Sequence, residues 1–320
     1  MPDPRVLDPK IPDESARVSE MRVLTPKSEE WPNSLNELGP AEPVSELHVQ
    51  GRPLPNPLKS IAIVGTRRPT VTGLELAREM AAAVAEAGFA VVSGLALGID
   101  AAAHRGALEV GAHTVAVLGC GLDVRYLERN MPLRRQIATR GTLVSEYPQG
   151  TPARAEHFPA RNRIIVGLSD AVIVVEGGFR SGALITARIG NEAGRKIFAI
   201  PGSPRNAVAI GPNELIRAGA TLVTDVQQVF DDLAPGLTWD RPYRSGDRRV
   251  LTDAELRVLH ALDAIPVTAG RIGAATDMAP GEVALTLSKL ELRGLARRTR
   301  TGQYEITKAG LEVSLDTASR

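Results

Sequence analysis

Several residue types are scarce in this sequence, and each scarcity excludes a class of protein. The 320 residues include one cysteine, Cys120, so no disulfide can form within the chain. A cysteine-based zinc site is not expected either. No apolar run reaches the roughly 18 residues that a membrane-spanning helix needs, and the N-terminus lacks a signal-peptide pattern. We therefore expect a cytoplasmic protein without membrane contact.

Aromatic residues and net charge are also low. Aromatic residues make up 3% of the chain, and the formal net charge is +1 at pH 7. Bulk charge therefore does not attract polyanions, and any binding of nucleic acid must come from a local cluster of basic residues. Because 43% of the residues are hydrophobic, the chain can form one large domain and a smaller one.

Short apolar runs that end in glycine alternate with helical patterns through the middle of the chain. Five such runs end at Gly65, Gly94, Gly119, Gly177 and Gly202. The runs are continuously apolar rather than alternating, which is typical of parallel strands covered by helices on both faces. The sequence therefore predicts an α/β fold, an extended Rossmann-like, doubly wound, mostly parallel sheet.

Changes in composition divide the chain into five predicted segments. These are a disordered tail at 1–21, the Rossmann-like domain at 22–235, a linker at 236–249, a winged-helix domain at 250–312 and a tail at 313–320. Three helical patterns and a hairpin that turns at 301–302 predict the winged helix. Thr252 and Glu255 form a capping-box pattern at the start of its first helix.

The five glycine turns are expected to share one edge of the sheet, which we call the rim. The carboxyl ends of parallel strands lie along one edge, and ligands bind in the crevice outside it. Helices that start there direct free N–H groups and positive dipole ends outward, which suits anions. The arginines expected near the rim are Arg67, Arg68, Arg125, Arg161, Arg163, Arg180 and Arg205. Their clustering predicts a site for a nucleotide, a sugar phosphate or a nucleic-acid backbone.

Asp100 and His104 stand four residues apart at the start of a predicted helix. Such a pair can meet on one helix face, where the carboxylate would orient the imidazole for general base catalysis. The other interpretation is that both residues brace the turn and the helix start. No dinucleotide fingerprint, P-loop, nucleophile elbow or metal-ligand spacing accompanies them. We therefore predict no catalytic residue, no metal site and no cofactor.

Six motifs together resemble one known family. They are IAIVGTRRPTVTG, VVSGLALGIDAAAH, VAVLGCGLDVRYLERN, LVSEYPQG, HFPARNRIIVGLSDAVIVVEGGFRSGALITA and GRKIFAIPGSPRNAVAIGPNELIRAGA. In this order they resemble the DNA-processing protein A family, also called DprA or Smf. The resemblance implies a Rossmann-like domain that binds single-stranded DNA, protects incoming DNA in natural transformation and loads the RecA recombinase. It also implies a homodimer or a larger assembly, and a protein whose main role is not enzymatic.

Matched motif by motif, the resemblance implies a set of DNA-binding residues. Arg67 resembles the family's phosphate-contacting arginine. The other implied DNA-binding residues are Ser93, Gly94, Arg161, Asn162, Arg163, Ser181, Gly182 and Thr186. Gly65, Asp100 and His104 match positions that brace the pocket. Many members carry an N-terminal helical domain, which we expect to be absent because the family-like motif already begins at Trp31.

Other functions stay open at this stage. Related Rossmann-like enzymes cleave nucleoside monophosphates at the glycosidic bond and carry a PGGxGTxxE loop, whereas EGGFRSGALIT here has an apolar residue in place of the glutamate. A scaffold that binds RecA and no DNA is a third possibility. The winged helix would be a second DNA contact or a protein-binding module. If DNA is the ligand, the scarcity of aromatics favours phosphate contacts that depend strongly on salt and little on sequence.

Overall fold

The computed structural model of the chain forms two compact units, Met1–Asp240 and Arg241–Arg320. It describes residues 20–38, 43–126, 128–179, 181–237, 251–262, 265–292, 294–299, 301–307, 310 and 314. Most of the predicted tails and of the predicted linker lies outside the described residues, and so does Arg180.

Nine strands in the described part of the first unit form one sheet. They are β1 (Arg22–Leu24), β2 (Leu47–Gly51), β3 (Ser60–Val64), β4 (Ala90–Ser93), β5 (Thr114–Leu118), β6 (Thr142–Ser145), β7 (Ala171–Val174), β8 (Lys196–Ala199) and β9 (Thr221–Leu222). Their spatial order is β1-β2-β6-β5-β4-β3-β7-β8-β9. Strands β3 to β9 pair in parallel, whereas β1 and β2 extend one edge in antiparallel orientation. The predicted mostly parallel, Rossmann-like sheet is confirmed.

Alternate residues of the central strands enter two separate cores. Ile61 and Ile63 of β3 belong to one core, and Ala62 and Val64 of the same strand belong to the other. Every residue of β3 is buried. Successive side chains of a strand point to opposite faces, so a strand that is covered on both faces needs an unbroken apolar run. This arrangement explains the continuous runs in the sequence.

The first unit also contains seven α-helices and two short 3-10 helices in its described residues. The α-helices are α1 (Val71–Glu86), α2 (Ile99–Glu109), α3 (Met131–Arg140), α4 (His157–Gly167), α5 (Gly182–Glu192), α6 (Ile210–Arg217) and α7 (Val226–Leu233). The 3-10 helices span Asn33–Glu37 and Glu128–Asn130. Helices α1 and α2 approach so closely that a Cβ on Gly106 would lie 2.1 Å from the carbonyl oxygen of Arg78. Only a small residue therefore fits at position 106 of this helix contact.

The strand order reverses between β3 and β7. From β3 the chain proceeds through β4, β5 and β6 on one side, and β7 returns to pair on the other side of β3. The turns after these two strands are joined by a 2.7 Å hydrogen bond from the Thr66 N–H to the Glu176 carbonyl. In open α/β sheets such a reversal creates the crevice where ligands bind. The candidate site therefore lies around these turns.

The second unit is a winged helix, as predicted. Its described elements are α8 (Asp253–His260), α9 (Ala269–Thr276), α10 (Pro280–Leu292), β10 (Ala296–Arg298) and β11 (Tyr304–Ile306). The predicted capping box is present, because Thr252 and Glu255 each bind the other's backbone N–H. Strands β10 and β11 pair in antiparallel orientation, and Gly302 turns the hairpin at φ +81°.

Candidate nucleic-acid interface

The rim glycines serve internal packing, which corrects the prediction that all five turns are open to a ligand. A Cβ on Gly65 would lie 2.6 Å from the Ile99 side chain, and one on Gly94 would lie 2.4 Å from the Arg161 guanidinium. A Cβ on Gly177 would lie 2.6 Å from the Ser181 hydroxyl. Glycine is therefore needed at these positions because neighbouring protein atoms already occupy the space.

Glu176 closes the start of α1. Its carboxylate accepts hydrogen bonds from the Thr70 N–H at 2.9 Å and from the Thr70 hydroxyl at 2.6 Å. Gly73 makes room for it, since a Cβ there would lie 2.3 Å from the carboxyl carbon. In dinucleotide-binding sheets a pyrophosphate sits at this kind of helix N-terminus. Here the Glu176 carboxylate of the protein itself takes that position. Nothing in the sequence around Glu176 signals this role.

A pocket lies at the carboxyl ends of β4 and β5. Its lining includes Arg67, Leu95, Tyr126, Arg134, Phe158 and Arg161. The rings of Tyr126 and Phe158 have centroids 5.1 Å apart, and the exposed Arg67 places its guanidinium carbon 5.6 Å from the Phe158 ring centroid. This cation–π contact fixes a positive charge at the mouth of an aromatic pocket. Arg67 therefore lies at the rim, as expected from the sequence, and its contact with a phosphate stays a prediction.

Arg161 is buried below that pocket, with a side chain that serves the fold. The residue is 5% exposed, and its Nη1 donates to the carbonyls of Gly94, at 2.7 Å, and Val117. Burial lowers the pKa of the guanidinium, while the nearby Asp100 opposes that shift. Burial raises the pKa of the Asp100 carboxyl, opposed by Arg161 and by backbone N–H donors that include Gly94. Arg161 thus joins the turn after β4 to strand β5 rather than presenting its charge to solvent.

Asp100 and His104 do not work as a pair. The Asp100 carboxylate accepts from the Gly94 N–H at 3.1 Å, whereas His104 Nδ1 lies 2.7 Å from the Thr114 hydroxyl. That hydroxyl donates to the Val91 carbonyl, so His104 Nδ1 carries the proton of the shared bond. Burial, Arg161 and Arg105 lower the pKa of His104 to about 3. A neutral, fully buried imidazole braces β4 and β5 and cannot exchange protons near pH 7.

Two further predicted DNA-binding residues, Ser93 and Arg163, make contacts within the protein. The buried Ser93 hydroxyl donates to the Ile63 carbonyl at 2.7 Å, so a direct side-chain contact with DNA does not fit its position. Arg163 Nη2 pairs with Glu146 Oε1 at 2.5 Å, with both side chains largely buried. The Arg163 guanidinium is therefore paired with a carboxylate of the protein and does not form an open site for an anion. Its contact with DNA stays a prediction.

The start of α5 contains the last three predicted residues. Asn162 on α4 donates to the Gly182 carbonyl at 3.4 Å, and the buried Thr186 hydroxyl donates to the same oxygen at 3.3 Å. The Ser181 hydroxyl is buried and has no hydrogen-bond partner among the described residues. In the described part of the chain, a Cβ on Gly182 would meet no heavy atom within 4 Å beyond its chain neighbours and its own helix backbone. This helix start is therefore open, in contrast to the start of α1.

Two residues that position the pocket were missed in the sequence. Arg134 donates from Nη1 to the Val124 carbonyl at 2.6 Å and from Nη2 to the Leu122 carbonyl. Asn130 Nδ2 donates to the carbonyl of Leu95 at 2.9 Å, and Leu95 adopts a left-handed φ of +54°. Both side chains come from the start of α3, and nothing in their local sequence signals a contact with distant turns.

The other rim arginines with described positions are exposed. Arg68 and Arg205 lie in the turns after β3 and β8, and Arg125 pairs with Glu128 at 3.0 Å on the surface. The described residues contain no group of three or more His, Cys, Asp or Glu side chains that could hold a metal ion. In the same part of the chain, no helix is long and apolar enough to cross a membrane.

Fold and site together define a class, a Rossmann-like protein with an arginine- and aromatic-lined carboxyl edge and a winged-helix unit further along the chain. The family model of DNA recombination-mediator protein A matches residues 22–234, and the model of the DprA winged helix domain matches residues 244–300. The chain belongs to the DNA recombination-mediator protein A family, which confirms the resemblance found in the sequence.

Individual relatives agree with this assignment. Protein Smf from Synechocystis sp. is 36% identical over 89% of this chain and 80% of its own length. DNA processing protein A from Streptococcus pneumoniae has a TM-score of 0.63 and 38% identity, over 68% of this chain and 76% of that one. DNA processing protein A from Helicobacter pylori, described for its single-stranded DNA binding mode, has a TM-score of 0.59 and 30% identity, over 67% and 95% of the two chains.

Proposed function

We propose that this chain binds single-stranded DNA along the rim. The observation that carries the proposal is the cluster of the exposed Arg67 with Phe158 and Tyr126 at the mouth of the pocket. Proteins that bind single strands combine cationic grooves for the backbone with aromatic rings for the bases. The H. pylori relative supports the assignment, because its single-stranded DNA binding mode is its described property.

The geometry favours single strands over duplexes. A phosphate on Arg67 would leave the neighbouring base beside the Phe158 and Tyr126 rings. In a duplex the base faces are stacked and do not reach such rings, whereas an unpaired strand can turn a base toward them. Neither a ring nor a guanidinium on a phosphate distinguishes one base from another well. Binding is therefore insensitive to sequence.

Fluorescence anisotropy of labelled oligonucleotides tests this proposal. The full chain is titrated with single and double strands of one length over a series of salt concentrations. We expect tighter binding of the single strand, a marked weakening with salt, and loss of affinity in Arg67→Ala. Arg78→Ala is the matched control, because Arg78 is a half-exposed arginine that pairs with Glu109 at the far end of α2. Equal affinity for both DNA forms, or equal loss in both variants, would contradict the proposal.

The biological role extends this binding activity. In the cytoplasm, the chain protects incoming single strands in natural transformation and loads RecA onto them as a homodimer. Family membership supports this role. Nuclease digestion of bound oligonucleotides tests protection, light scattering tests the dimer, and RecA-dependent ATP hydrolysis on DNA coated with single-strand-binding protein tests loading. An unchanged digestion rate and an unchanged RecA lag would contradict the role.

The protein acts without catalysis in this proposal. The alternative, hydrolysis of the glycosidic bond of a nucleoside monophosphate, needs a free general acid or base carboxylate at the rim. Glu176 is the carboxylate in the turn after β7, and Thr70 and the start of α1 engage it. Incubation with AMP and chromatography for free adenine tests the point. Release of adenine by the wild type would restore the enzyme hypothesis.

A further inference from the structure

Phe179 is an exposed aromatic residue in the turn between β7 and α5. Its exposed fraction is 68%, and it is the only aromatic among the large hydrophobic side chains that stand exposed in the described residues. The other aromatic residues near the rim, Tyr126, Tyr147 and Phe158, are each partly covered and contact another ring. A largely exposed ring is therefore present in the turn after β7, next to the reversal of strand order between β3 and β7.

The surroundings of Phe179 are the open part of the rim. The glycines after β3 and β4 pack against protein atoms, as does Gly177. In contrast, among the described residues outside the local chain, a Cβ on Gly178 would meet only the Ala207 carbonyl oxygen, at 3.8 Å, and one on Gly182 would meet none within 4 Å. The described backbone at Gly178 and Gly182 therefore leaves space for close approach by a ligand.

The polar groups beside Phe179 suit an anion. The carboxylate of Glu176 is directed to Thr70 and the start of α1, so it is engaged away from α5. The Ser181 hydroxyl has no partner in the described part of the chain, and it stands at the N-terminus of an 11-residue helix. First-turn N–H groups and the positive end of the helix dipole favour phosphate. An anion site next to an uncovered ring matches the alternation of phosphate and base in a nucleic-acid strand.

Phe179 is continuous with the proposed DNA interface. Its turn is joined to the Arg67 turn by the Thr66–Glu176 hydrogen bond. The start of α5 is joined to α4 by the Asn162–Gly182 hydrogen bond, and Phe158 stands one helical turn before Asn162. A strand bound at Arg67 and Phe158 therefore reaches Phe179 by continuing along the rim from β5 toward β7.

We infer that Phe179 stacks on an unpaired nucleobase of the bound strand, as a second stacking position separate from the Tyr126–Phe158 pocket. The inference rests on the proposed function and specifies where a further nucleotide lies. Its phosphate is held at the start of α5, beside Ser181 and Gly182. Because about two thirds of the ring is already exposed among the described residues, it can receive a base without burying a new partner first.

Anisotropy with two ligands tests the inference, an oligothymidine and an abasic oligonucleotide of the same length. Removal of one stacking aromatic weakens single-strand binding by about fivefold or more. We expect that loss for Phe179→Ala on oligothymidine and no change on the abasic strand. Phe179→Leu separates ring stacking from apolar contact, and it should lose affinity like the alanine variant. Full affinity in either variant on oligothymidine would overturn the inference.

Phe179→Trp provides a direct readout. An indole at this position retains affinity, and its emission is quenched by oligothymidine but not by the abasic strand, after subtraction of the wild-type signal from Trp31 and Trp239. Failure of the wild type to bind oligothymidine at all would reject the proposed function itself. Wild-type binding without any effect at position 179 would reject this inference alone. Dissociation of a dimer by Phe179→Ala, with unchanged DNA affinity, would assign the ring to self-association instead.

Discussion

Replacement of Arg161 by methionine distinguishes a brace from a DNA contact. The family resemblance implied that Arg161 contacts DNA, whereas the structure buries it between the turn after β4 and strand β5. Methionine has a similar length and no charge. We expect Arg161→Met to destabilise the first unit strongly, and to affect DNA binding only as far as the pocket above it deforms.

The magnitude follows from the hydrogen bonds that the substitution removes. Nη1 donates to two buried carbonyls, of Gly94 and Val117. A hydrogen bond from a charged donor contributes about 1.5–3 kcal/mol, so two contribute roughly 3–6 kcal/mol. Methionine removes the cost of desolvating the guanidinium, which favours the lower end, about 3 kcal/mol. The nearby Asp100 also loses its positive neighbour.

The effect should depend on pH with a definite sign. Burial raises the pKa of Asp100 above its ordinary 3.8, and loss of Arg161 raises it further. A carboxyl with a raised pKa in the folded state destabilises the fold as the pH rises through and above the unfolded-state value. The loss of unfolding free energy caused by Arg161→Met should therefore grow from pH 3 toward neutrality. Adding Asp100→Asn to the same chain should remove most of that growth.

Urea unfolding of the full chain measures this prediction, with the buried Trp31 as a fluorescent reporter of the first unit. Arg67→Met is the matched control, because an exposed arginine changes stability by about 0.5 kcal/mol or less. In anisotropy titrations, Arg67→Met should lose more DNA affinity than Arg161→Met, although it loses less stability. A variant at Arg161 that unfolds like the wild type yet loses DNA binding would refute the assignment of Arg161 as a brace.

Three further predictions follow from the site. Arg67→Ala should make the slope of log affinity against log salt shallower by about 0.7, because the variant neutralises one phosphate fewer on a single strand, and an unchanged slope in anisotropy titrations would count against an Arg67–phosphate contact. The pKa of His104 is lowered to about 3, so the residue destabilises the fold as the pH falls below the ordinary imidazole pKa of 6.5. His104→Gln should therefore lose less melting temperature than the wild type between pH 6.5 and 4. The same dependence of melting temperature on pH in both proteins would contradict the burial of His104 as a neutral group. Gly94→Ala should unfold at a clearly lower urea concentration than the wild type, because the added Cβ meets the Arg161 guanidinium at 2.4 Å. Gly182→Ala meets none of the described atoms beyond its local chain within 4 Å and should be tolerated. Equal stability of the two variants in urea unfolding would contradict the packing argument.

The fold could be predicted because its signals are local. The unbroken apolar runs of β3 to β7, and the glycines that follow all of them except β6, are legible within five or six residues, as is the Thr252–Glu255 capping box. Strand β1 (Arg22–Leu24) escaped prediction because three residues are too few to show a period. Its pairing with β2 supplies the contact that orders it.

The division of labour among the arginines could not be predicted. Arg67, Arg161 and Arg163 all follow from motifs near the rim, yet one is exposed, one binds carbonyls 44 and 67 residues away in sequence, and one pairs with Glu146. Whether a charged side chain faces solvent depends on which distant turns pack around it. The packing of those turns is determined by residues throughout the sheet, and the short motif around each arginine does not contain it.

The sequence by itself determined the order of elements, the shared edge of the parallel strands and the family, since alternation, glycine turns and motifs are properties of short segments. The tertiary structure alone decided that Glu176 fills the start of α1, that Asp100 and His104 serve separate partners, and that the start of α5 with Phe179 stays open. These outcomes depend on the close approach of turns that lie far apart in the chain. Hydrogen bonds and excluded volume act between neighbours in space, so only the folded sheet assigns them.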